Sequence, residues 1–447
     1  MHGVDSAVEA PPVSAVRSSW ASWLSVSPTV WQLGFTSLFT DISTEMIASI
    51  LPVYIVLQLH FSPLQFGFLD GISQGAAVAL LSLAAGILAD RWQRQKEVAT
   101  VGYALAAVSK VALLLAGGVW MLIGAALVLD RLGKGIRTAP RDAMISLATP
   151  CDKFATAFAV HRGLDAGGAV LGPLAAFLLL RLAPGTFDLV LVVSLCTALV
   201  GLGIITLLVR KPSRVRHCHP VPEMKVTHHC RRGCLGVLVG SQSEMPGLRR
   251  SLDLLRKSRF RALIVAGGIL GLATASDGFV YLLLQQNTHS PATAIPFYAF
   301  LMALVYLLFS VPAGHLADKW SRQRVFMAGY GLLGVIYAIL LFSNLGSMVQ
   351  FLVIGLFGAY YAATDGVLAA MASATLDPGV RTSGLALLNT ATSISRLLSA
   401  VLFGWLWTCW SVGAAVRCFG LGLAAAMMIS AWAFAKGKKV TLDSIVG

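Results

Sequence analysis

The sequence is poor in charge and in cysteine, and it has no motif for binding a nucleotide or a hydrolytic zinc ion. Only 12% of its 447 residues are charged and 57% are hydrophobic, a mixture outside the range of soluble globular domains. Its seven cysteines include no even, closely spaced set, which argues against a disulfide framework. It contains neither a P-loop nor an HExxH helix, so we expect neither an ATP-driven pump nor an enzyme.

Long apolar runs recur along the whole chain, whose mean hydropathy is +0.77. A helix needs about 20 such residues to cross a hydrocarbon core about 30 Å thick. The runs predict an all-α integral membrane protein with twelve transmembrane helices in a lipid bilayer. The predicted spans are 30–57, 63–89, 97–116, 119–146, 154–180, 186–209, 260–284, 291–316, 325–343, 349–374, 380–407 and 411–435.

Basic residues produce the net charge of +14, and they cluster in alternate loops. These loops include the connections after the second, fourth and eighth predicted spans and the tail after residue 435. An excess of Lys and Arg is typical of cytoplasmic loops, so both termini are expected to be cytoplasmic, and the basicity does not indicate nucleic-acid binding. We expect a multi-pass protein of a bacterial inner membrane or of a membrane derived from it.

One polar loop occurs twice in the chain. It reads GILADRWQRQ over 86–95 and GHLADKWSRQ over 314–323, and seven of the ten positions are identical. The repeat indicates a duplicated six-helix unit (6+6), an architecture of secondary transporters in which the substrate site lies between the halves. The predicted organisation is an N-terminal segment 1–29, a six-helix half 30–209, a cytoplasmic loop 210–259, a second half 260–435 and a tail 436–447.

These features resemble the major facilitator superfamily, which has a GxLADRxxR-type loop after the second and the eighth of twelve helices. The resemblance covers essentially the whole chain and implies that the loop forms a cytoplasmic gate. A carboxylate paired with Arg at a helix end suits a latch, because the pair is strong when made and costly when half-made. The gate residues that the resemblance implies are Gly86, Asp90, Arg91, Arg94, Gly314, Asp318, Lys319 and Arg322.

Charged residues also lie inside the predicted spans. A charge at the centre of a bilayer costs at least ~2.5 to 3.5 kcal/mol, so each one needs a partner, water or a function. We predict that these residues couple protons or line a substrate cavity; the alternative for any single one is a buried salt bridge between helices. They are Asp41, Glu45, Asp70, Lys110, Asp130, Arg131, Lys134, His161, Arg162, Asp165, Asp277, Asp365 and Arg396.

The fourth predicted span contains the string VLDRLGKGIRTAPRD, which has six charged residues. Asp130, Lys134, Arg137 and Arg141 are spaced to share one helix face, and we predict that this face lines the cavity. Arg131, followed by two spaced glycines, resembles a fourth-helix motif that the superfamily uses in proton coupling. The longer string GKGIRTAPRD resembles a bacterial subgroup of permeases.

The expected proton carriers are Asp41, Glu45, Asp130 and Asp165. A carboxyl group can change its protonation state when a cation moves toward it or away from it. His161 is predicted to share a helix face with Asp165, and histidine titrates near neutral pH. In the fifth span the glycines before Pro173 resemble a Gly-Pro element of the superfamily's antiporters, which favours export.

A cluster of histidine and cysteine stands in the loop between the halves. Imidazole and thiolate are ligands of zinc and of other late transition metals, although the spacing differs from that of zinc fingers. The alternatives are a site for a transition metal, with no cofactor otherwise required, and a plain basic linker. The candidate metal ligands are His217, Cys218, His219, His228, His229, Cys230 and Cys234.

Three functions are consistent with the sequence. The leading one is a secondary active transporter that moves a small solute by alternating access and couples it to protons, as multidrug and metabolite exporters do. The second is a permease for a transition-metal ion such as iron, with Asp41, Glu45, Asp70 and His161 as ligands in the pore. The third, of another class, is a membrane sensor or scaffold that does not transport.

Overall fold

The computed structural model describes residues 26–73, 94–150, 153–210, 258–342, 346–376 and 381–446, and every regular element in them is helical. The helices are α1 (Pro28–Pro52), α2 (Pro63–Ser73), α3 (Gln95–Leu115), α4 (Trp120–Leu147), α5 (Phe154–Leu182), α6 (Phe187–Gly203), α7 (Ser258–Leu272), α8 (Asp277–Thr288), α9 (Ala294–Lys319), α10 (Arg322–Leu340), α11 (Ser347–Thr375), α12 (Arg381–Cys409) and α13 (Val412–Val446). Short π-helical segments, Val53–Gln58 and Ile204–Leu208, continue α1 and α6. We call α1–α6 the N-terminal half and α7–α13 the C-terminal half.

Ten helical segments of the described residues are long and apolar enough to cross a membrane. They correspond to ten of the predicted spans, and α7 and α8 together form one of them. The second predicted span is described only over α2, because residues 74–89 lie outside the described residues. The fourth predicted span corresponds to α4, which has 28 residues but is not one of the ten segments, because it carries charges from Asp130 to Asp142. The number of twelve spans and the duplication of a six-helix unit therefore stay predictions.

The predicted span 260–284 corresponds to one membrane-spanning segment, Arg259–Thr288, but the chain is non-helical between α7 and α8. The hydroxyl of Tyr337 on α10 accepts the N–H of Ala275 at 2.7 Å and donates to the carbonyl of Ala273 at 3.0 Å. Ser399 of α12 donates to the carbonyl of the residue between them at 2.5 Å. These side chains supply bonds that the interrupted helix lacks, so the buried backbone stays satisfied.

Glycines set the closest helix contacts within the N-terminal half. A Cβ on Gly102 of α3 would lie 2.7 Å from the carbonyl oxygen of Gly133 on α4, and a Cβ on Gly133 would lie 2.6 Å from that of Gly102. A Cβ on Gly168 of α5 would lie 2.9 Å from the Cβ of Asp41 on α1. Small residues permit this approach between membrane helices. The charged residues of α1 and α4 are therefore held on tightly packed helix pairs.

The two halves meet at one end of the bundle, which we call the closed end. The N–H of Leu64 on α2 donates to Oγ1 of Thr408 on α12 at 3.1 Å. Phe279 of α8 lies between the halves, with its ring centre 4.9 Å from that of Phe66 and 4.8 Å from that of Phe403. Beside this aromatic cluster α5 packs against α9. Backbone and ring contacts together seal this end.

At the opposite end, which we call the open end, the described residues of the two halves share no core cluster. A core cluster that includes Val30, Ala99, Met144 and Ile205 contains, in the part of the chain that the structure describes, only residues of the first half and its flanks. On the other side of the opening, a Cβ on Gly314 of α9 would meet no described atom within 4 Å. The interface is therefore accessible from the open end.

Candidate functional site

Two connected chambers form a cavity between the halves. The outer chamber, toward the open end, has a volume of about 460 Å³, and the inner chamber, toward the closed end, has a volume of about 390 Å³. Arg131 of α4, Asp365 of α11 and Arg396 of α12 line both chambers. Side chains of both halves therefore meet where the chambers join, and the volumes are typical of small-molecule sites.

The outer chamber lies between the open-end parts of α4, α10, α11 and α12. Lys134 and Thr138 continue the line of Arg131 along α4 toward the open end. Asn389 and Thr392 of α12 line the same space. Among the described residues, Lys134 is the charged side chain that lines this chamber and does not reach the inner one. The outer chamber is thus lined, within the described part of the chain, by three cations, by the single carboxylate of Asp365 and by neutral hydrogen-bonding groups.

The inner chamber is acidic and rich in tyrosine. Glu45, Asp70 and Asp277 line it and do not line the outer chamber. The hydroxyl of Tyr361 donates to Oδ1 of Asp277 at 2.5 Å. The guanidinium of Arg396 lies 5.7 Å from the centre of the Tyr361 ring. Carboxylates of both halves therefore face one small space next to the closed end.

Glu45 is a carboxylate without a fixed partner. Within the described residues its side chain takes part in no hydrogen bond and no ion pair, although it lines the inner chamber. A Cβ on Gly172 of α5 would lie 2.8 Å from the Cβ of Glu45, so the packing of α1 on α5 fixes its position. Arg131 of α4 lines the same chamber. Such a group can take up and release a proton as cations move.

Lys110 and Asp130 form an ion pair inside the N-terminal half, where 2% and 6% of their side-chain surfaces are exposed. NH2 of Arg131 lies 3.6 Å from Oδ2 of Asp130, so this carboxylate connects the buried Lys110 with a cation of the cavity. A void of about 40 Å³ beside the pair is also lined by Asp70. Because Asp70 lines the inner chamber too, it stands between the cavity and the ion pair.

The predicted cavity face of α4 is corrected by the structure. Asp130, Arg137 and Arg141 are buried, with 4%, 3% and 6% of their surface exposed, and of that face Lys134 lines the outer chamber. The reason is the close packing of α4 on α3, which turns the other three side chains into the N-terminal half. Arg131 and Lys134 then point toward the interface with the C-terminal half.

The buried arginines of α4 bind carboxylates of neighbouring helices. NH2 of Arg137 lies 3.4 Å from Oδ1 of Asp41 on α1, and its guanidinium lies 4.9 Å from the centre of the Tyr103 ring. On α5, Arg162 is exposed and lies 3.8 Å from Asp165. Asp41 is therefore held by an ion pair, which distinguishes it from Glu45 one turn further along α1.

A polar network surrounds Ser37 of α1. NH1 of Arg141 donates to its hydroxyl at 3.0 Å, and Nε2 of His161 and the hydroxyl of Tyr103 lie 3.2 Å and 3.3 Å from the same oxygen. Nδ1 of His161 lies 3.8 Å from Oδ2 of Asp165, which confirms that these two residues share a helix face. NH1 of Arg141 lies 3.9 Å from Oδ1 of Asp165. The network lies toward the open end, away from the inner chamber.

The predicted gate is described in part. Arg322 donates to Oδ1 of Asp318 at 3.0 Å and 3.2 Å and to the carbonyl of Ala370 at 3.1 Å, so this loop is tied to α11 of its own half. Lys319 is exposed at the end of α9, and Arg94 is exposed before α3. The other predicted gate residues, Gly86, Asp90 and Arg91, lie outside the described residues.

The predicted metal ligands of the loop, from His217 to Cys234, also lie outside the described residues. Over the ranges that are described, no three side chains of His, Cys, Asp or Glu come together as a metal site. Of the proposed pore ligands, Asp41 is paired with Arg137, and His161 is bonded in the Ser37 network. The metal hypothesis therefore stays a prediction.

Sequence reasoning missed the neutral groups of the cavity. Tyr281, Tyr306 and Tyr361 line the inner chamber, and Tyr330 lines the outer one. A signal was present, because Tyr361 precedes Asp365 by four residues and so shares its helix face. Tyrosine is common in apolar spans, however, and a search for charged residues passes over it.

Comparison with known proteins gives consistent results along the chain. The family model of the Major Facilitator Superfamily matches residues 33–284 and 262–443. An uncharacterized MFS-type transporter of Methanocaldococcus jannaschii is 28% identical over 390 residues, which cover 86% of this chain and 89% of that protein. An uncharacterized protein of Mycobacterium tuberculosis is 31% identical over 172 residues, covering 38% of this chain and 40% of its own.

Solved transporter structures share the fold. A peptide transporter POT mutant in complex with sulfate superimposes with a TM-score of 0.72 at 14% identity, covering 94% of this chain and 98% of that one. A mutant of the nucleoside transporter NupG gives a TM-score of 0.70 at 14% identity, covering 92% and 99%. At such identities the likeness concerns the fold alone.

Proposed function

This chain belongs to the Major Facilitator Superfamily, and we propose that it is a proton-coupled transporter which carries a small solute through the cavity between its halves. The superfamily and its structural relatives make it a multi-pass secondary transporter of the membrane. Coupling to protons, the solute and the orientation in the membrane are the proposed parts. We assign the open end to the cytoplasm, because the described basic residues Arg94, Lys153 and Arg324 lie there.

In the proposed cycle the closed end opens and the open end closes. Contacts such as Phe279 with Phe66 and Phe403 seal one end, while the chambers are reached from the other. Rocking of the halves would part these rings and bring the open-end parts of α4 and α10 together. This is the alternating access of transporters built from two helical bundles.

The observation that carries proton coupling is the position of Glu45. It lines the inner chamber without a hydrogen bond or an ion pair among the described residues, whereas Asp41 and Asp130 are each paired with a buried cation. A carboxylate in the membrane that lacks a partner requires a function, and binding a proton is the simplest one. Arg396 of the other half lines the same chamber, so rocking of the halves changes the charges around Glu45 and with them its affinity for the proton.

Proton coupling can be tested before the solute is known. Spin labels at Leu147→Cys of α4 and Arg324→Cys of α10, both exposed toward the open end, report the separation of the halves in a variant without native cysteines. We expect the distance distribution to change between acidic and neutral pH in proteoliposomes. Glu45→Gln should fix the distribution of the acidic state at both pH values, because the amide mimics the protonated acid.

The matched control is Asp188→Asn, which removes an exposed carboxylate in the first turn of α6. It should keep the full pH response. A pH response that persists unchanged in Glu45→Gln would remove Glu45 from the coupling mechanism. The absence of any pH response in the unaltered chain would contradict proton coupling itself.

A further inference from the structure

The charges of the cavity are separated along its length. Lys134 lines only the outer chamber, whereas Glu45, Asp70 and Asp277 line only the inner one. Arg131 and Arg396, with Asp365, lie where the chambers join. From the open end inward, the lining therefore changes from an excess of cations to an excess of carboxylates.

This order creates a directed electric field inside the cavity. Apolar walls weaken screening, so charges that line a cleft act more strongly on a bound ion than they would in water. A simple anion is favoured at the cationic pole and opposed at the acidic pole, and a simple cation experiences the reverse. A molecule with both charges is favoured along the whole length if its negative group points outward.

We propose that the transported solute is a zwitterion, bound with its cationic group in the inner chamber and its anionic group against the cations of α4 and α12. The proposal rests on the proton-coupled transport proposed above and adds the chemical class of the solute. It covers amino acids, short peptides and other compounds that carry a protonated amine and a carboxylate.

The cationic pole has hydrogen bonds left to give. Nε of Arg131 is buried and donates to no acceptor among the described residues. A buried polar group without a partner is unfavourable, and a carboxylate that accepts its hydrogen bond removes this penalty. Lys134 and Arg396 stand on opposite halves beside it, so an anionic group would bridge the two halves.

The acidic pole suits an ammonium group. Besides its carboxylates, it presents the rings of Tyr281, Tyr306 and Tyr361. Aromatic faces attract cations within about 6 Å, and Arg396 already lies over Tyr361 in this way. The hydroxyl of Tyr281 is buried and has no hydrogen-bond partner in the described part of the chain.

The proposal also explains how the solute and the proton exclude each other. An ammonium group in the inner chamber stabilises the ionised form of Glu45 by direct attraction. The proton of Glu45 then leaves through the open end, and no other change of charge is needed. When the solute departs on the far side, the carboxylate loses its cation and takes up a proton there. This sequence produces exchange of solute for proton.

The test is binding to the purified full-length chain in detergent, without any pH gradient, followed by the thermal unfolding midpoint. Three zwitterions serve as probes: phenylalanine, alanylphenylalanine and 6-aminohexanoic acid. Each is compared with its C-terminal amide, which is only a cation, and with its N-acetyl derivative, which is only an anion. We expect at least one zwitterion to raise the midpoint more than both of its singly charged derivatives.

Variants locate the two poles. Glu45→Gln should weaken the binding of the zwitterion and of the amide by roughly tenfold or more and leave the binding of the N-acetyl derivative unchanged. Lys134→Gln should weaken the binding of the zwitterion and of the N-acetyl derivative. Asp188→Asn and Arg181→Gln, which remove exposed charges outside the cavity, are the matched controls and should bind as the unaltered chain does.

Two results would overturn the zwitterion proposal: preference for a singly charged member in every series, and no stabilisation by any of the nine compounds. The outcome is separate from that of proton coupling. A zwitterion that binds but is not accumulated in proteoliposomes by a pH gradient would leave the solute class intact and refute the coupling. Accumulation of a singly charged anion or cation by such a gradient would support the coupling and refute the solute class.

Discussion

Removing the carboxylate of Asp130 should destabilise the fold more than removing its partner Lys110. In Asp130→Asn the amine of Lys110, with 2% of its side chain exposed, loses its carboxylate partner. Breaking a buried pair in this way costs about 3 to 5 kcal/mol of the free energy of unfolding. Lys110→Met leaves Asp130 with NH2 of Arg131 at 3.6 Å and with Oγ of Ser109 at 3.4 Å, so we expect a loss of about 1.5 to 3 kcal/mol.

The double variant separates pairing from packing. Lys110→Met with Asp130→Asn leaves no unpaired amine, so it should be more stable than Asp130→Asn alone, although it carries one more substitution. The assay is denaturant unfolding in detergent micelles, followed by tryptophan fluorescence, with Asp188→Asn as an exposed control that changes stability by about 0.5 kcal/mol or less. Equal losses in both single variants, or simple addition in the double variant, would refute the reasoning.

Three further predictions concern packing and the closed end. Gly168→Val places a branched side chain where a Cβ alone would lie 2.9 Å from the Cβ of Asp41, so the yield of folded protein in size-exclusion chromatography should fall sharply. The control is Gly163→Val, whose Cβ would meet no described atom within 4 Å and whose yield should be normal. Tyr337→Phe removes the hydroxyl that bonds two backbone groups of the helix break and should lower the free energy of unfolding by about 1 to 3 kcal/mol in denaturant titrations; an unchanged midpoint would mean that other groups satisfy this backbone. Phe279→Ala removes the ring between the halves. In a Glu45→Cys background, a thiol reagent supplied from the closed end should therefore label the cysteine faster than it does when Phe279 is intact. Equal labelling rates would show that this ring is not part of the seal.

The sequence predicted the helices well because a membrane span leaves a strong local signal. An apolar run of sufficient length forms a helix wherever it packs, and the observed bounds of α3, α9 and α12 lie within a few residues of the predicted ones. The break before Asp277 was missed because its polar residues, Thr274, Ser276 and Asp277, resemble those that occur inside the unbroken helix α1. It depends on Tyr337 and Ser399, which are distant in sequence.

The candidate site was predictable in composition and unpredictable in arrangement. Charge inside a span marked Glu45, Asp130 and Arg131 as residues that need a partner or a cavity, and the structure has Asp130 in a buried ion pair and the other two at the cavity. Their spacing showed which side chains share a helix face, but it contains no information about the neighbour that this face meets. The packing of α4 on α3 decided that Asp130 is buried while Arg131 reaches the cavity.

The contact between Gly102 and Gly133 turns two helices into one mechanical part. With the backbones touching at these glycines and the Lys110 to Asp130 pair bridging the same helices, α4 cannot slide or roll without taking α3 along. Arg131 and Lys134 therefore move together with α3 and α4. Their distance to the C-terminal half changes only when the entire N-terminal half turns. Local adjustment of the binding site is thereby suppressed, and binding of a solute leads to rotation of the whole N-terminal half.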